Sequence, residues 1–196
     1  MQHIVRTFLA VELSPETRGR ALRLIQRLRA TGARVRWVEG DNLHVTLKFL
    51  GDVESVELPE VCRRVQAAVA NLTAFDLVFR GAGAFPDVTN PRTLWLGVAD
   101  GEVPMAELHQ RVEDALGEIG FRIENRRFKP HVTIGRVRDT RSGKRDLEDL
   151  LLAQADFDGG VTHVEEVVVF ASYLHGDGPE YEVLGRGELL PADPAS

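Results

Sequence analysis

Shifting the chain against itself by 87 positions lays Phe8-Leu9-Ala10-Val11 over Trp95-Leu96-Gly97-Val98, and His44-Val45-Thr46-Leu47 over His131-Val132-Thr133-Ile134. The same offset carries an amphipathic stretch at 15–30 onto one at 104–119, and a β-rich run at 75–80 to the neighbourhood of one at 164–172. Self-similarity over most of a chain means that one structural unit is used twice. The expected unit is strand-helix-strand-strand-helix-strand, in halves of about 5–91 and 92–172, with a closing strand near 180–188. Two such halves face one another across a pseudo-twofold axis. The Pro- and Ala-rich stretch 189–196 reads as a frayed tail outside a two-lobed domain at 1–188.

Helical periodicity marks three segments: 15–30 (Ala21, Leu24, Ile25, Leu28), 57–72 (Leu58, Val61, Cys62, Val65, Val69, Leu72) and 104–119 (Met105, Leu108, Val112, Leu116, Ile119). Ser14-Pro15 supplies a capping hydroxyl and a proline at the first helical position, and Gly120 stops the third segment. Strands are expected at 5–12, 34–38, 43–50, 75–80, 93–99, 121–124, 131–138, 164–172 and 180–185. Cys62 falls on an apolar helical stripe, where a thiol behaves as a small buried hydrophobe.

No apolar run approaches the 18 residues that a membrane-crossing helix needs. The beginning of the sequence lacks a basic segment followed by an apolar stretch, so the expected location is cytoplasmic. One cysteine permits no intrachain disulfide, and His109, His163 and His175 fit no metal-ligand spacing, so no metal is expected. Neither a P-loop nor a dinucleotide fingerprint occurs, so no nucleotide cofactor is expected. The net charge is −6, yet Arg122–Arg145 holds Arg122, Arg126, Arg127, Lys129, Arg136, Arg138, Arg141, Lys144 and Arg145 against Glu124 and Asp139. That stretch alone carries +7 and the remainder −13. An acidic protein with one basic segment can hold a polyanion locally.

In the run 43–50 the side chains alternate, so Leu43, Val45, Leu47 and Phe49 point to the core while His44, Thr46 and Lys48 share the other face. His131 and Thr133 repeat the pattern in the second half. Six histidines and ten threonines would give roughly 0.3 His-x-Thr triplets by chance; two at equivalent repeat positions require a shared reason. Paired imidazoles suit a reaction in which one proton leaves the attacking group as another reaches the leaving group, because both can titrate near neutral pH. The threonines place hydroxyls beside them to hold an anion, for which a phosphate is suited, and Lys48 adds charge. Strict alternation would turn Arg136 away from this face, whereas a bulge at Gly135 would bring it back. Phe8, Trp37, Phe85 and Tyr173 are candidates to stack on a base, and equally ordinary core residues.

The segments Leu43-His44-Val45-Thr46-Leu47-Lys48-Phe49-Leu50-Gly51 and Phe128-Lys129-Pro130-His131-Val132-Thr133-Ile134-Gly135-Arg136 resemble the paired signatures of the two-histidine phosphoesterases. Within them, the chain is most similar to the bacterial and archaeal 2′-5′ RNA ligase family of RNA 2′,3′-cyclic phosphodiesterases. The likeness runs from Arg6-Thr7-Phe8-Leu9-Ala10-Val11 through Pro91-Arg92-Thr93-Leu94-Trp95-Leu96-Gly97 to about Gly187. It implies a bilobal α+β fold with a central cleft between two antiparallel sheets. It also implies metal-independent hydrolysis of an RNA-terminal 2′,3′-cyclic phosphate to a 2′-phosphate, and reversible ATP-independent joining of RNA halves through a 2′-5′ linkage. Carried over by position, His44 and His131 are the catalytic pair, with His131 expected as base and His44 as acid. Thr46, Thr133 and Arg136 hold the phosphate, with Lys48 a further candidate. The expected partner is an RNA end, bound by a monomer because one chain completes the cleft. The competing readings are a non-catalytic RNA-end binder and a phosphodiesterase acting on a small cyclic nucleotide.

Overall fold

The computed structural model describes residues 3–124, 127–139, 143–175 and 178–192. In chain order they form β1 (Ile4–Glu12), α1 (Pro15–Arg29), β2 (Arg34–Trp37), a 3-10 turn (Gly40–Asn42), β3 (His44–Glu54), α2 (Leu58–Val69), β4 (Phe75–Phe85) and β5 (Thr93–Asp100). There follow α3 (Glu102–Gly117), β6 (His131–Asp139), α4 (Lys144–Ala153), β7 (Asp158–Val164), β8 (Glu166–His175) and β9 (Gly178–Glu188).

The helices form where capping and apolar spacing agree. Ser14 Oγ accepts a hydrogen bond from Thr17 N at 3.2 Å, and Pro15 opens α1. Its buried stripe is Ala21, Leu24, Ile25 and Leu28, the i, i+3, i+4, i+7 set. Val61, Val65 and Val69 do the same for α2, and Met105, Leu108, Val112 and Leu116 for α3. Cys62 is half-buried at the α2–β9 contact, where burial pushes its thiol up.

All strand pairings are antiparallel, in the order β7-β4-β5-β6-β3-β1-β8-β9, with β2 also on β6. The two antiparallel sheets implied by the resemblance are the halves of one curled sheet. They join between β3 and β6, where the register contains the single pair Val45↔Val132. These residues are 87 apart, so each pairs with its own equivalent, and the pseudo-twofold axis passes between them. The halves also exchange parts. β4 of the first half pairs with β5, and β8 of the second pairs with β1. Correspondingly α1 packs on β7 and α4, while α2 packs on β9 and α3.

One sheet face is covered by the helices and supplies Leu9, Val11, Val45, Leu47, Leu94, Leu96, Val132 and Ile134 to the main core. Among the described residues the other face carries a small buried cluster of Phe8, Ala10, Val168 and Phe170 with Tyr181 against it. Leu189 and Leu190, expected in a frayed tail, are instead bound: Leu190 N donates to Leu72 O and Ala74 N to Leu190 O, each at 2.7 Å, and Leu189 joins the main core. Three elements also differ from the expectation. α4 and β7 lie where no element was expected. The strand expected at 121–124 is irregular, because its backbone is engaged by side chains. Lys48 Nζ donates to Arg122 O at 2.7 Å, and Glu124 N donates to Glu113 Oε2 at 3.0 Å.

Candidate active site

Because Val45 faces Val132, antiparallel register sets His44 opposite Thr133 and Thr46 opposite His131, all four on the face away from the helices. The two histidines are then diagonal neighbours, with backbones about 7–8 Å apart. Each ring is anchored by the same device. His131 Nδ1–H donates to Lys129 O at 2.7 Å, and the His44 ring bonds to the backbone of Asn42, which is Lys129's equivalent under the 87-residue offset. A carbonyl partner keeps the proton on Nδ1 of neutral His131, so its Nε2 presents a lone pair. His44 Nε2 lies 3.0 Å from Thr46 Oγ1.

Aromatic side chains wall both rings. Phe8 lies 5.0 Å and Tyr181 5.6 Å from His44, between ring centroids, and Phe85 lies 4.9 Å from His131, edge-on. Burial lowers the His44 pKa to about 4; the Asn42 bond opposes this, and the charge of His131 adds to it. In the free protein His44 is therefore neutral near pH 7. Alongside it opens a cavity of about 510 Å³, with Leu43, Phe170, Tyr181 and Val183 among its lining and carboxylates from Glu12, Glu39, Asp41 and Glu180.

Arg136 reaches the open face, and the expected bulge is the reason. Trp95 pairs with Thr133 and Leu94 with Gly135, so Ile134 is the extra residue, and Arg136 falls opposite Thr93 on the face of Trp95 and Thr133. Lys48 does not reach that face. β3 has the same bulge at the equivalent place: Ala10 pairs with Thr46 and Leu9 with Lys48, leaving Leu47 extra. The residue turned to the open face is consequently Phe49, 60% exposed, while Lys48 points under the sheet. There its ammonium is 2.7 Å from Glu113 Oε1, both side chains being 2% exposed. The reading of Lys48 as a phosphate ligand is corrected to that of a buried ion-pair partner.

The basic segment divides. Lys129 Nζ stands 5.0 Å from the Trp95 ring centroid and 5.5 Å from that of Phe85, beside His131. Lys144 and Arg145 open α4, and Arg126 and Arg141 lie outside the described residues. Of the remaining histidines, His109 stacks on Phe128 at 4.1 Å, and His163 Nδ1 pairs with Asp76 Oδ1 at 2.7 Å. Among the described residues no group of three or more His, Cys, Asp or Glu could hold a metal ion.

Sequence reasoning did not single out Arg6, Arg36 or Tyr181. Arg36 pairs directly with Arg136 across β2 and β6, and Tyr181 reaches His44 from β9. The alternation Arg34-Val35-Arg36-Trp37 was the available signal for Arg36; Tyr181 had none, since only the curl of the sheet brings β9 to β3.

The fold and the site define a duplicated α+β protein whose two halves place matched imidazoles on one open face of the sheet. The profile of the 2′-5′ RNA ligase superfamily matches residues 14–172, and the chain belongs to that superfamily. It is 32% identical over 180 residues to an RNA 2′,3′-cyclic phosphodiesterase of Thermotoga maritima, covering 92% of this chain and 93% of that one. To the protein of that description in Methanothermobacter thermautotrophicus it is 36% identical over 177 residues, covering 90% and 95%. In fold it is similar to a protein of Thermus thermophilus whose crystal structure is known (TM-score 0.79, 23% identity, 96% of this chain and 100% of that one). It is also similar in fold to E. coli LigT in complex with 3′-AMP (TM-score 0.77, 24% identity, 95% and 99%).

Proposed function

We propose that this chain is an RNA 2′,3′-cyclic phosphodiesterase that opens a terminal cyclic phosphate to a 2′-phosphate by two-histidine acid–base catalysis. The observation that carries the reading is the facing pairs His44/Thr133 and Thr46/His131 about the Val45↔Val132 axis. A phosphate centred there meets one imidazole and one threonine hydroxyl from each half, with Arg136 on the same face.

His131 enters as the base: with Nδ1–H committed to Lys129 O, Nε2 takes the proton of the attacking water. His44 protonates the departing 3′ oxygen. Its proton is taken up from solvent as the substrate binds, because the anionic phosphodiester supplies the opposite charge that the buried ring lacks when empty. An imidazolium held at a desolvated place is also a strong donor to an alkoxide. Thr46 and Thr133 donate hydrogen bonds to the non-bridging oxygens as charge develops on them. The same steps with a 5′-hydroxyl in place of water as the attacking group, the 3′ oxygen again leaving, are ATP-independent 2′-5′ joining. The partner in this reading is an RNA end, and the enzyme a cytoplasmic monomer, since one chain supplies both imidazoles.

The test is an oligonucleotide ending in a 2′,3′-cyclic phosphate, with its products separated after incubation. Conversion to the 2′-monophosphate is expected, and His44→Ala or His131→Ala lowers the rate by roughly 10²–10⁴-fold. Retention of the oligonucleotide without conversion would make the protein a binder, and full activity in either variant would refute the mechanism.

A further inference from the structure

Lys129 meets the surroundings of His131 twice. Its carbonyl accepts the His131 Nδ1–H, and its ammonium stands 5.0 Å from the Trp95 ring centroid and 5.5 Å from that of Phe85. Pro130 disfavours the helical region for Lys129, so the chain enters β6 extended and the side chain reaches the rings of β4 and β5. Phe85 meets the His131 ring edge-on at 4.9 Å, and the Phe85 and Trp95 rings are 5.5 Å apart. In the sheet order β4-β5-β6-β3 this platform lies on the far side of His131 from His44. It is open: Lys129 is exposed, Phe85 and Trp95 are half-buried, and Lys129 has no acidic partner among the described residues. Asp87, in the turn after Phe85, is engaged by Thr89 and Asn90. Arg92 N donates to Phe85 O at 2.8 Å, so a second exposed cation begins at the platform's edge. The first half is built differently. Phe8, the equivalent of Trp95, is roofed by Phe170 and Tyr181 and is 3% exposed. Asn42 stands there in place of Lys129, and Glu12, Glu39, Asp41 and Glu180 line that end.

We infer that the Lys129–Trp95–Phe85 platform is the site of the entering strand when RNA ends are joined: the 5′-hydroxyl nucleoside rests against the rings, and the ammonium takes the phosphodiester on its 3′ side. This rests on the cyclic-phosphodiesterase reading with His131 as base, and goes beyond it by giving the second strand a place. In an in-line displacement the entering and leaving oxygens stand on opposite sides of phosphorus. With His44 as acid on the leaving side, the entering group comes from the side of His131, where the platform lies. The step balances within the two strands. The 5′ oxygen bonds to phosphorus and gives its proton to His131. The bond from phosphorus to the 3′ oxygen breaks, that oxygen takes the proton of His44, and the 2′ oxygen keeps its bond. The product is a 2′-5′ phosphodiester beside a free 3′-hydroxyl. Ring faces hold the ammonium in place before any phosphate arrives, and every base has a face to set against an aromatic side chain, so the site suits a strand of any sequence. The carboxylates at the His44 end would repel the same strand, which is why the two matched halves are not interchangeable.

The experiment incubates an oligonucleotide carrying a 5′-phosphate and a 2′,3′-cyclic phosphate end with increasing amounts of a second oligonucleotide bearing a 5′-hydroxyl. The 2′-monophosphate of hydrolysis is separated from the 2′-5′-joined product, for wild type, Lys129→Gln and Lys129→Arg. Both reactions use His44, His131 and the same phosphate, so their ratio reports the entering strand. Wild type is expected to give joined product that saturates with the 5′-hydroxyl strand. At a subsaturating amount of that strand, Lys129→Gln should lower the ratio of joining to hydrolysis about tenfold, and Lys129→Arg should restore it. Added salt should lower the ratio less in Lys129→Gln than in wild type, by the contribution of one phosphate contact. A parallel fall of both reactions with an unchanged ratio would show Lys129 acting through His131, and overturns the site. Hydrolysis by wild type without joining overturns the site and leaves the phosphodiesterase reading standing, whereas a cyclic end that reacts in neither way refutes both. Circular dichroism and the urea midpoint confirm that the variants are folded.

Discussion

Lys48 Nζ and Glu113 Oε1 are 2.7 Å apart beneath the sheet that carries the histidines, and this ion pair holds the approach to His131. The ammonium also takes Arg122 O, and the second carboxylate oxygen takes Glu124 N, so α3, β3 and the segment leading to Lys129-Pro130-His131 meet at one buried charge pair. Glu113 Oε1 also lies 3.7 Å from His109 Nε2, whose ring burial keeps below its ordinary pKa. Replacing Lys48 with Met leaves the Glu113 charge buried without its partner. Such losses cost about 3–5 kcal/mol. Lys48→Met should therefore lower the urea midpoint strongly, and Lys48→Met with Glu113→Leu should recover much of it. An unchanged midpoint with a raised KM would return Lys48 to the phosphate.

Chain folding and the histidine–threonine pairs were legible because they depend on local patterns. Alternation holds through Thr46 and Thr133, and α1, α2 and α3 follow their apolar periods. The face of residue 48 was not legible, because a bulge is defined by the partner strand. Gly135 advertises it in one half, but nothing in Thr46-Leu47-Lys48 does in the other. Applying the bulge to both halves turns Arg136 and Phe49 to the open face together. α4 was masked by the charges around it, although Leu147, Leu150 and Leu151 have helical spacing. Arg6, Arg36 and Tyr181 come from three strands that only the sheet's curl brings together.

The depressed pKa of His44 makes stability depend on pH. The folded value of about 4 lies below the ordinary 6.5, so the unfolded chain binds more protons between the two. The contribution of the neutral ring is fully present above about pH 6.5 and is lost as pH falls toward 4, by at most roughly 3 kcal/mol. Urea midpoints measured from pH 7.5 to 4 should fall more steeply in wild type than in His44→Gln. Parallel profiles would mean that His44 is protonated as easily folded as unfolded.

The same depressed value predicts proton uptake on binding. Adenosine 3′-monophosphate titrated at pH 6.5 in buffers of different ionisation enthalpy should draw up to one proton into wild type, and less into His44→Gln. Zero uptake in wild type would indicate that His44 remains neutral beside the phosphate, which would assign it the base role and His131 the acid role.

Packing on the open face is complementary between the halves. Trp95 is the equivalent of Phe8, and Gly83 that of Phe170: where Phe170 stacks on Phe8 at 5.2 Å, the missing side chain of Gly83 makes room for the indole. A Cβ at Gly83 would lie 2.3 Å from the Trp95 ring. Gly83→Ala should destabilise by about 1–3 kcal/mol, the usual range for overpacking, and displace the Trp95–Phe85 wall behind His131. Gly83→Ala combined with Trp95→Phe should regain stability, as followed by thermal melting. A fully stable Gly83→Ala would mean that the indole moves aside without loss.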